Sequence, residues 1–452
     1  MKSLDEILQV LKTEKYAVLR EQLVHLEAAD IAWLLTQLDN QQTVTVFRLL
    51  PKETAAEVFV ELESQDQELL IDGFTDGELK RIVNDLYNDD AADLIEELPA
   101  NVVQRILKQA DPEKRAVINQ LLKYPGDSVG SIMTTEYVNL KASMTVQEAF
   151  QRIRRLGMKS ETVYTCYVTD GNRKLEGVIT VRELLFAEPS DTISALMERN
   201  VVFFRTLDDR EEIARAFEKY DFLAFPIVDS DGRLVGIVTV DDAMDVLQEE
   251  NTEDIEKMAA IVPTDKPYLK TGILTTFLKR IPWLLVLMIS GTFTGRIITM
   301  FETALAAQAV LVAFIPMLMD AGGNAGSQAS VTIIRGLSLQ ELRFRDYFRV
   351  LWKEVRVAVL CGAVLATGNF LKILMVDNLI FRSGISMTVA AIVCITLFFT
   401  VLLAKVVGCS LPMLAERIGF DPAVMASPFI TTIVDAMSLL VYFGFAKFLL
   451  SV

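Results

Sequence analysis

Histidine is nearly missing: His25 stands alone in 452 residues. Cysteine is scarce too, and Cys166, Cys361, Cys394 and Cys409 form no CxxC or similar pair. These gaps exclude a disulfide framework and a zinc site of the usual Cys/His kind. No GxxxxGK[ST] loop is present, so hydrolysis of ATP at a P-loop is excluded as an energy source. The opening stretch "MKSLDEILQVLKTEKYAV" has no apolar run fit for a signal peptide, and the first ~260 residues are expected to stay on the cytosolic side. Basic charge is short in one half only. Residues 1–262 hold 50 acids and 28 bases, whereas residues 263–452 hold 10 acids and 16 bases. The acidic half argues against a nucleic-acid partner, since phosphate contacts need clustered Lys and Arg.

The basic half is rich in apolar runs. Five segments, at about 279–301, 304–334, 352–376, 386–414 and 423–450, are each long enough to cross a ~30 Å hydrocarbon core. The connection between the second and third carries Arg335, Arg343, Arg345, Arg349, Lys353 and Arg356, and the one before it has no base near "FETALAAQ". By the positive-inside rule the basic loop is cytosolic, Arg417 puts the fourth connection on the same side, and the C-terminus lies outside. Lys405, in the fourth segment, is expected to snorkel to the interface.

Two of these segments carry polar groups that anchors do not need. In the second, Asp320, Asn324 and Gln328 repeat every four residues and so share one helical face among Gly322, Gly323 and Gly326. This is either a helix seam glued by small residues and amides or a wet lining. In the fifth, Ser427, Thr431 and Asp435 form a stripe at i, i+4, i+8. With the helix starting near Ala423, Asp435 is roughly 18 Å deep, close to the bilayer centre. No Lys or Arg of that segment is near enough to pair with it. An intramembrane acid of this kind is by default a pathway residue; the plain alternative is a protonated Asp held inside the bundle.

The acidic half contains two duplications. From about residue 20 to 124, apolar or small residues recur every 12 positions at Leu38, Leu50, Leu62, Phe74, Leu86, Leu98, Ala110 and Leu122. A short helix and a turn fit this period, and such units bury their apolar faces only by stacking. From about 126 to 248 the chain reads strand, helix, strand, turn, strand, helix, twice, with a hairpin signal in "DSDGRLVGIVTV". That pattern resembles a tandem CBS pair, a module that dimerises and often senses adenosine nucleotides. The helix leaving it carries Asp242, Asp245, Glu249, Glu253 and Glu256 on one arc, with Glu250 and Asp254 at its edge. Like charges at this spacing weaken a helix. The arc is either a solvated face or a face for Mg²⁺ or Ca²⁺, which favour oxygen-rich clusters; the spacing is not that of an EF-hand.

The combination of acidic helical repeat, CBS pair, acidic connecting helix and five spans resembles the MgtE family of magnesium channels and transporters along essentially the whole chain. The motifs that carry the likeness are "GGNAGSQAS" from Gly322 and "DPAVMASPFITTIVDAMSLLVYF" from Asp421. The expected fold is a multidomain α-helical membrane protein. It comprises an α-helical superhelix at 1–125, an α/β tandem CBS domain at 126–240, an acidic connecting helix and linker at 241–275, and a five-helix transmembrane domain at 276–452.

The resemblance implies a homodimer with a pore between protomers. Asp435 of each would hold a Mg²⁺ that keeps much of its water, with Asn324, Ser427 and Thr431 bonding to those waters. It further implies closure by cytosolic Mg²⁺ bound to Glu57, Asp89, Asp93, Asp209, Asp221, Asp242, Asp245, Glu250, Glu253 and Asp254, with Asp421 as an added site. Thr239 and Asp242 match a position that contacts a nucleotide ribose, which makes ATP a candidate modulator; Glu183 replaces the usual Asp in the first copy. The expected function is a Mg²⁺-selective importer in the plasma (inner) membrane, multi-pass, among lipid, with no covalent chemistry. The rival reading is a proton-coupled secondary divalent-cation transporter regulated by nucleotide. A membrane enzyme using the acidic cluster as a metal site lacks a candidate nucleophile or base near a pocket.

Overall fold

The computed structural model of the chain describes residue 10 and residues 16–264, 268–269, 271–302, 306, 308–425 and 427–450. These fall into two compact units divided between Leu247 and Gln248.

The first unit begins with α1 (Tyr16–Leu23), followed by eight helices that start every 12 residues: α2 (Ala28–Thr36), α3 (Asn40–Phe47), α4 (Lys52–Val60), α5 (Ser64–Gly73), α6 (Asp76–Asp85), α7 (Asn88–Glu97), α8 (Ala100–Gln109) and α9 (Pro112–Leu121). The period is written in the ends of the helices. Asp39 accepts hydrogen bonds from the Gln41 and Gln42 amides, and Thr75 with Glu78 forms a capping box. The residue that closes a repeat then turns inward: Leu50, Leu62, Phe74, Leu86, Leu98 and Ala110 are buried, and Leu38 and Leu122, at the two ends, are partly buried against the same core. One continuous apolar core from Leu19 to Ile118 results. Each fully buried Leu or Phe contributes ~1.5–3 kcal/mol, which a lone ten-residue helix cannot collect.

The second duplication has equal topology in its two copies. The first is β1 (Tyr137–Leu140), α10 (Val146–Leu156), β2 (Thr162–Thr169), β3 (Leu175–Thr180) and α11 (Val181–Phe186). After the one-turn α12 (Ile193–Leu196), the second is β4 (Phe204–Arg205), α13 (Arg210–Tyr220), β5 (Ala224–Val228), β6 (Leu234–Thr239) and α14 (Val240–Met258). Each sheet has its first strand parallel and its last antiparallel to the middle one. The hairpins are pinned by Asp170 and Asp229, each accepting two backbone N–H bonds. Where Gly232 takes a left-handed φ of 79°, the first copy places Arg173 at 66°. Gly236 lies so close to Thr134 that a Cβ would stand 2.7 Å from its carbonyl oxygen.

Among its described residues, the second unit holds five helices long and apolar enough to cross a membrane. They are α15 (Ile273–Met300), α16 (Ile315–Ser338), α17 (Tyr347–Lys372), α18 (Met387–Arg417) and α19 (Ser427–Leu450). α16 is preceded by a 3₁₀ segment, Ala309–Phe314, and α17 runs on as a π-helix to Ile380. α15 starts at Ile273, earlier than its apolar run, because Lys279 and Arg280 interrupt hydropathy without interrupting the helix. α16 packs against α18 and α19 through glycine. A Cβ on Gly322 would stand 2.7 Å from Thr400 Cγ2, and one on Gly326 2.9 Å from Ile430 Cγ2.

Candidate cation sites

In the first unit, the start of α7 is fastened to the segment before β1. The Asn88 amide donates to Glu136 Oε2 at 2.9 Å, and Asn88 Nδ2 donates to Thr135 Oγ1 at 2.9 Å. This holds Asp89, Asp90 and Asp93 near Asp242 in the first turn of α14, with Glu161 alongside. Burial, then the neighbouring acids, pushes Asp89 well above the usual carboxylate range and Glu161 up to about 8. Burial also lifts Asp242 to about 7, although the Thr239 hydroxyl donates to its Oδ2 at 2.5 Å. Asp90 is lifted to about 6, burial again first, and Asp93, on the open rim, is shifted upward by burial, Asp242 and Asp90.

Two oxygens in this cluster lack hydrogen-bond partners among the described residues: Asp89 Oδ1, on a side chain only 4% exposed, and Glu161 Oε2. Burying a carboxylate oxygen without a partner costs about 1–3 kcal/mol or more. The nearby ammonium of Lys114 donates to the Leu86 carbonyl; burial lowers its pKa, and Glu136, Asp89 and Asp90 oppose that. Among the described residues, no three His, Cys, Asp or Glu side chains converge tightly enough to enclose a bare metal ion.

The remaining regulatory candidates of this unit are placed differently. Glu57 is exposed on α4. Asp209 caps α13, accepting from the Glu211 amide at 2.8 Å, and Asp221 ends that helix in a left-handed conformation at φ 54°. Asp245 is exposed on α14; burial of its carboxyl, followed by Asp241, raises its pKa. Thr239 and Asp242, singled out for nucleotide contact, begin α14 as Thr180 and Glu183 begin α11, where both form a capping box. Glu183 thus bonds to Thr180 as Asp242 bonds to Thr239.

In the second unit, the end of α14 makes a junction of its own. The Lys257 ammonium lies 2.7 Å from Asp421 Oδ2 and also pairs with Glu253. Burial lowers its pKa, but the hydrogen bonds to Asp421 and Glu253 more than offset this, and the group is held above the ordinary lysine range. Ser338 at the end of α16 donates to Asp254 Oδ2 at 3.2 Å. Glu253, Asp254 and Asp421 are therefore brought together, around an internal cation; Glu250 lies one turn before them on α14.

Asp435 sits half-buried on α19. The helix proper starts at Ser427, after a 3₁₀ turn at Pro422–Met425, so Asp435 is roughly 12 Å along it at 1.5 Å per residue. The charged group it feels is a second acid, Asp320. Asp320 is exposed on α16 and accepts from Asn324 Nδ2 at 3.0 Å; Asn324 and Gln328 share that exposed face. The Thr431 hydroxyl donates to the Pro428 carbonyl at 2.9 Å, and its methyl packs on Gly323. The Ser427 side chain lies outside the described residues. Lys405 does not snorkel. It is 5% exposed, and its Nζ lies 3.6 Å from Glu354 Oε2 on α17.

Sequence reasoning had Asp90 beside Asp89 and Asp93 but passed over Glu136, Glu161, Lys114 and Lys257. Of these only Lys257 carried a local signal, standing four residues after Glu253 on one helix face.

Comparison with known proteins places most of the chain in described families. Residues 26–127 match the MgtE intracellular N domain, 129–190 and 193–249 match CBS domains, and 315–445 match a family described as divalent cation transporter. The magnesium transporter MgtE of Thermus thermophilus is 37% identical over 99% of this chain and 98% of its own length. That of Bacillus subtilis is 31% identical over 97% and 96%. Among solved structures, the cytosolic domain of the Mg²⁺ channel MgtE in complex with ATP matches 54% of this chain and all of its own, at 37% identity and a TM-score of 0.52. A multi-pass membrane protein with a cytosolic N domain and a CBS pair, the chain belongs to the MgtE family of magnesium transporters.

Proposed function

We propose that two copies of the chain enclose a Mg²⁺-selective, channel-like pore, and that cytosolic Mg²⁺ closes it. The observation that carries this reading is Asp435, a carboxylate on a membrane helix whose charged neighbour is another acid. Like charges in a medium that solvates them poorly call for a cation. Mg²⁺ loses its water reluctantly, so a site holding the hydrated ion needs acids and hydrogen-bonding groups at a wet level more than a closed cage. Asp435 would supply the charge, and Asn324, Thr431 and Ser427 would bond to the ion's waters.

The regulatory role falls to the acids outside the membrane. Asp89, Asp93 and Asp242 have the orphaned oxygens beside them that a hydrated divalent ion would satisfy. Glu57, Asp209, Asp221 and Asp245, and Glu250, Glu253, Asp254 and Asp421, complete the set. Near-complete switching needs about 5.5 kcal/mol of bias, which several weak sites can supply together. ATP, contacting Thr239 and Asp242, would modulate this, and no covalent step is involved. The labour divides among 1–125, 126–240, 241–275 and 276–452, with the C-terminus outside.

The test is Mg²⁺ flux into proteoliposomes. Asp435→Asn is expected to reduce flux on the order of tenfold or more while the protein still folds. Unchanged conduction would remove Asp435 from the pore. Flux should persist with the proton gradient collapsed; if it stops, proton-coupled transport takes the place of the channel.

A further inference from the structure

We propose that Lys257 is a tethered counter-ion. It holds the end of the connecting helix α14 on the entry to the last membrane helix, and so sets how much divalent cation the gate needs to close. This rests on the gating reading above and adds to it a cation that the chain supplies itself.

The contact is built from more than one ion pair. Within six residues, α14 reaches two membrane helices. Lys257 lies 2.7 Å from Asp421 Oδ2, just before α19, and Asp254 takes a hydrogen bond from Ser338 on α16. Met258 packs with Ile334 of α16 and with Ala423, both buried. Just past the helix, Ala260 takes a left-handed φ of 56° and the Ile261 amide returns to the Glu256 carbonyl. The chain is then tied to α15: the Val262 amide donates to the Lys279 carbonyl, and the Lys279 ammonium donates to the Pro263 carbonyl. A lysine that merely paired with Glu253 one turn back would be an ordinary surface pair of little consequence. Lys257 instead joins that glutamate to an aspartate on another element, at a point fixed by apolar packing.

The chemistry follows from competition. Asp421 and Glu253 carry the charge that a bridging Mg²⁺ would neutralise, and the ammonium already neutralises part of it. With Lys257 in place the junction holds without a divalent ion. Without Lys257, the two carboxylates repel until an ion arrives.

Two measurements on the full chain separate this from the function it rests on. The first is disulfide crosslinking of Met258→Cys with Ala423→Cys in EDTA, scored against single-cysteine controls. We expect ready crosslinking in the Lys257 background, about threefold or more slowing with Lys257→Met, and recovery with Lys257→Arg or with added Mg²⁺. The second is flux in proteoliposomes at low Mg²⁺ on the cytosolic face. Lys257→Met should raise it about threefold to fivefold, and Lys257→Arg should not. If Lys257→Met crosslinks and conducts like the parent while the parent is still closed by Mg²⁺, the counter-ion is wrong and the gate stands. If the parent carries no Mg²⁺ flux, or Mg²⁺ does not close it, the proposed function fails and takes the gating role of Lys257 with it, whatever the crosslinking shows.

Discussion

At one end of α14, Asp242 faces Asp89, Asp90 and Glu161, and the charges acting most strongly on Asp93 are all negative. At the other end, Lys257 stands between Asp421 and Glu253. One helix thus carries an acidic cluster held by folding without enough internal cation and another that the chain neutralises itself. In the first, burial forces carboxyls upward toward neutrality and leaves oxygens unbonded. In the second, two carboxylates share one ammonium and hold it above the ordinary lysine range. On the proposed reading, the first kind answers directly to dissolved ions, and the second answers to them only in competition with the ammonium it already holds. The membrane helices repeat the contrast, with Asp435 beside Asp320 and Glu354 beside Lys405.

The strongest way to break this contrast is to remove the charge that waits for an ion. Neutralising Asp89, Asp93 and Asp242 together to Asn is expected to raise the Mg²⁺ concentration that half-closes the pore about tenfold or more, with conduction in the open state unchanged. Retained inhibition at the original concentration would show that the cluster is a solvated face. A further way uses pH. Glu161 and Asp242 titrate near 8 and 7 in the fold, against ~4 in the unfolded chain. The folded state therefore binds more protons in that window. The stability these groups contribute is full below about pH 4 and is lost as pH rises through 7 to 8. In EDTA, the melting temperature of the first unit within the full chain should fall by about 4 °C or more between pH 6 and 8.5, and saturating Mg²⁺ should abolish the fall. A melting temperature that is flat in EDTA would mean the carboxyls are better solvated than their burial implies.

Much of this molecule was legible because its regularities are periodic. A 12-residue step announced the stacked helices, and apolar length announced the five spans. A strand–helix–strand pattern repeated 59 residues on, from Thr180 to Thr239, announced the paired sheets. What stayed hidden depends on partners distant in sequence. Glu161 enters the cluster because its own amide bonds to the Glu136 carbonyl while Glu136 caps α7. Lys405 reads as a snorkelling lysine on its own helix, and only the neighbouring α17 supplies Glu354. Asp435 needed no partner to be noticed, since a membrane helix makes any acid conspicuous.

The finest distinction between the two clusters lies at Lys114, the nearby cation of the first. Its ammonium donates to the Leu86 carbonyl at the end of α6, yet Glu136, Asp89 and Asp90 all act on it. Lys114 is therefore half of what Lys257 is: close enough to be felt, but committed to a backbone carbonyl. Lys114→Met should make the cluster more negative and lower the half-closing Mg²⁺ concentration, by about twofold given solvent screening at this partly exposed position. It should also lower thermal stability in EDTA, by about 1 kcal/mol for the lost carbonyl bond, and Mg²⁺ should recover most of that loss. Lys114→Arg should leave the half-closing concentration in place. If Lys114→Met instead raised it, the ammonium would be ordering the carboxylates for the ion, and the two ends of α14 would differ less than their charges suggest.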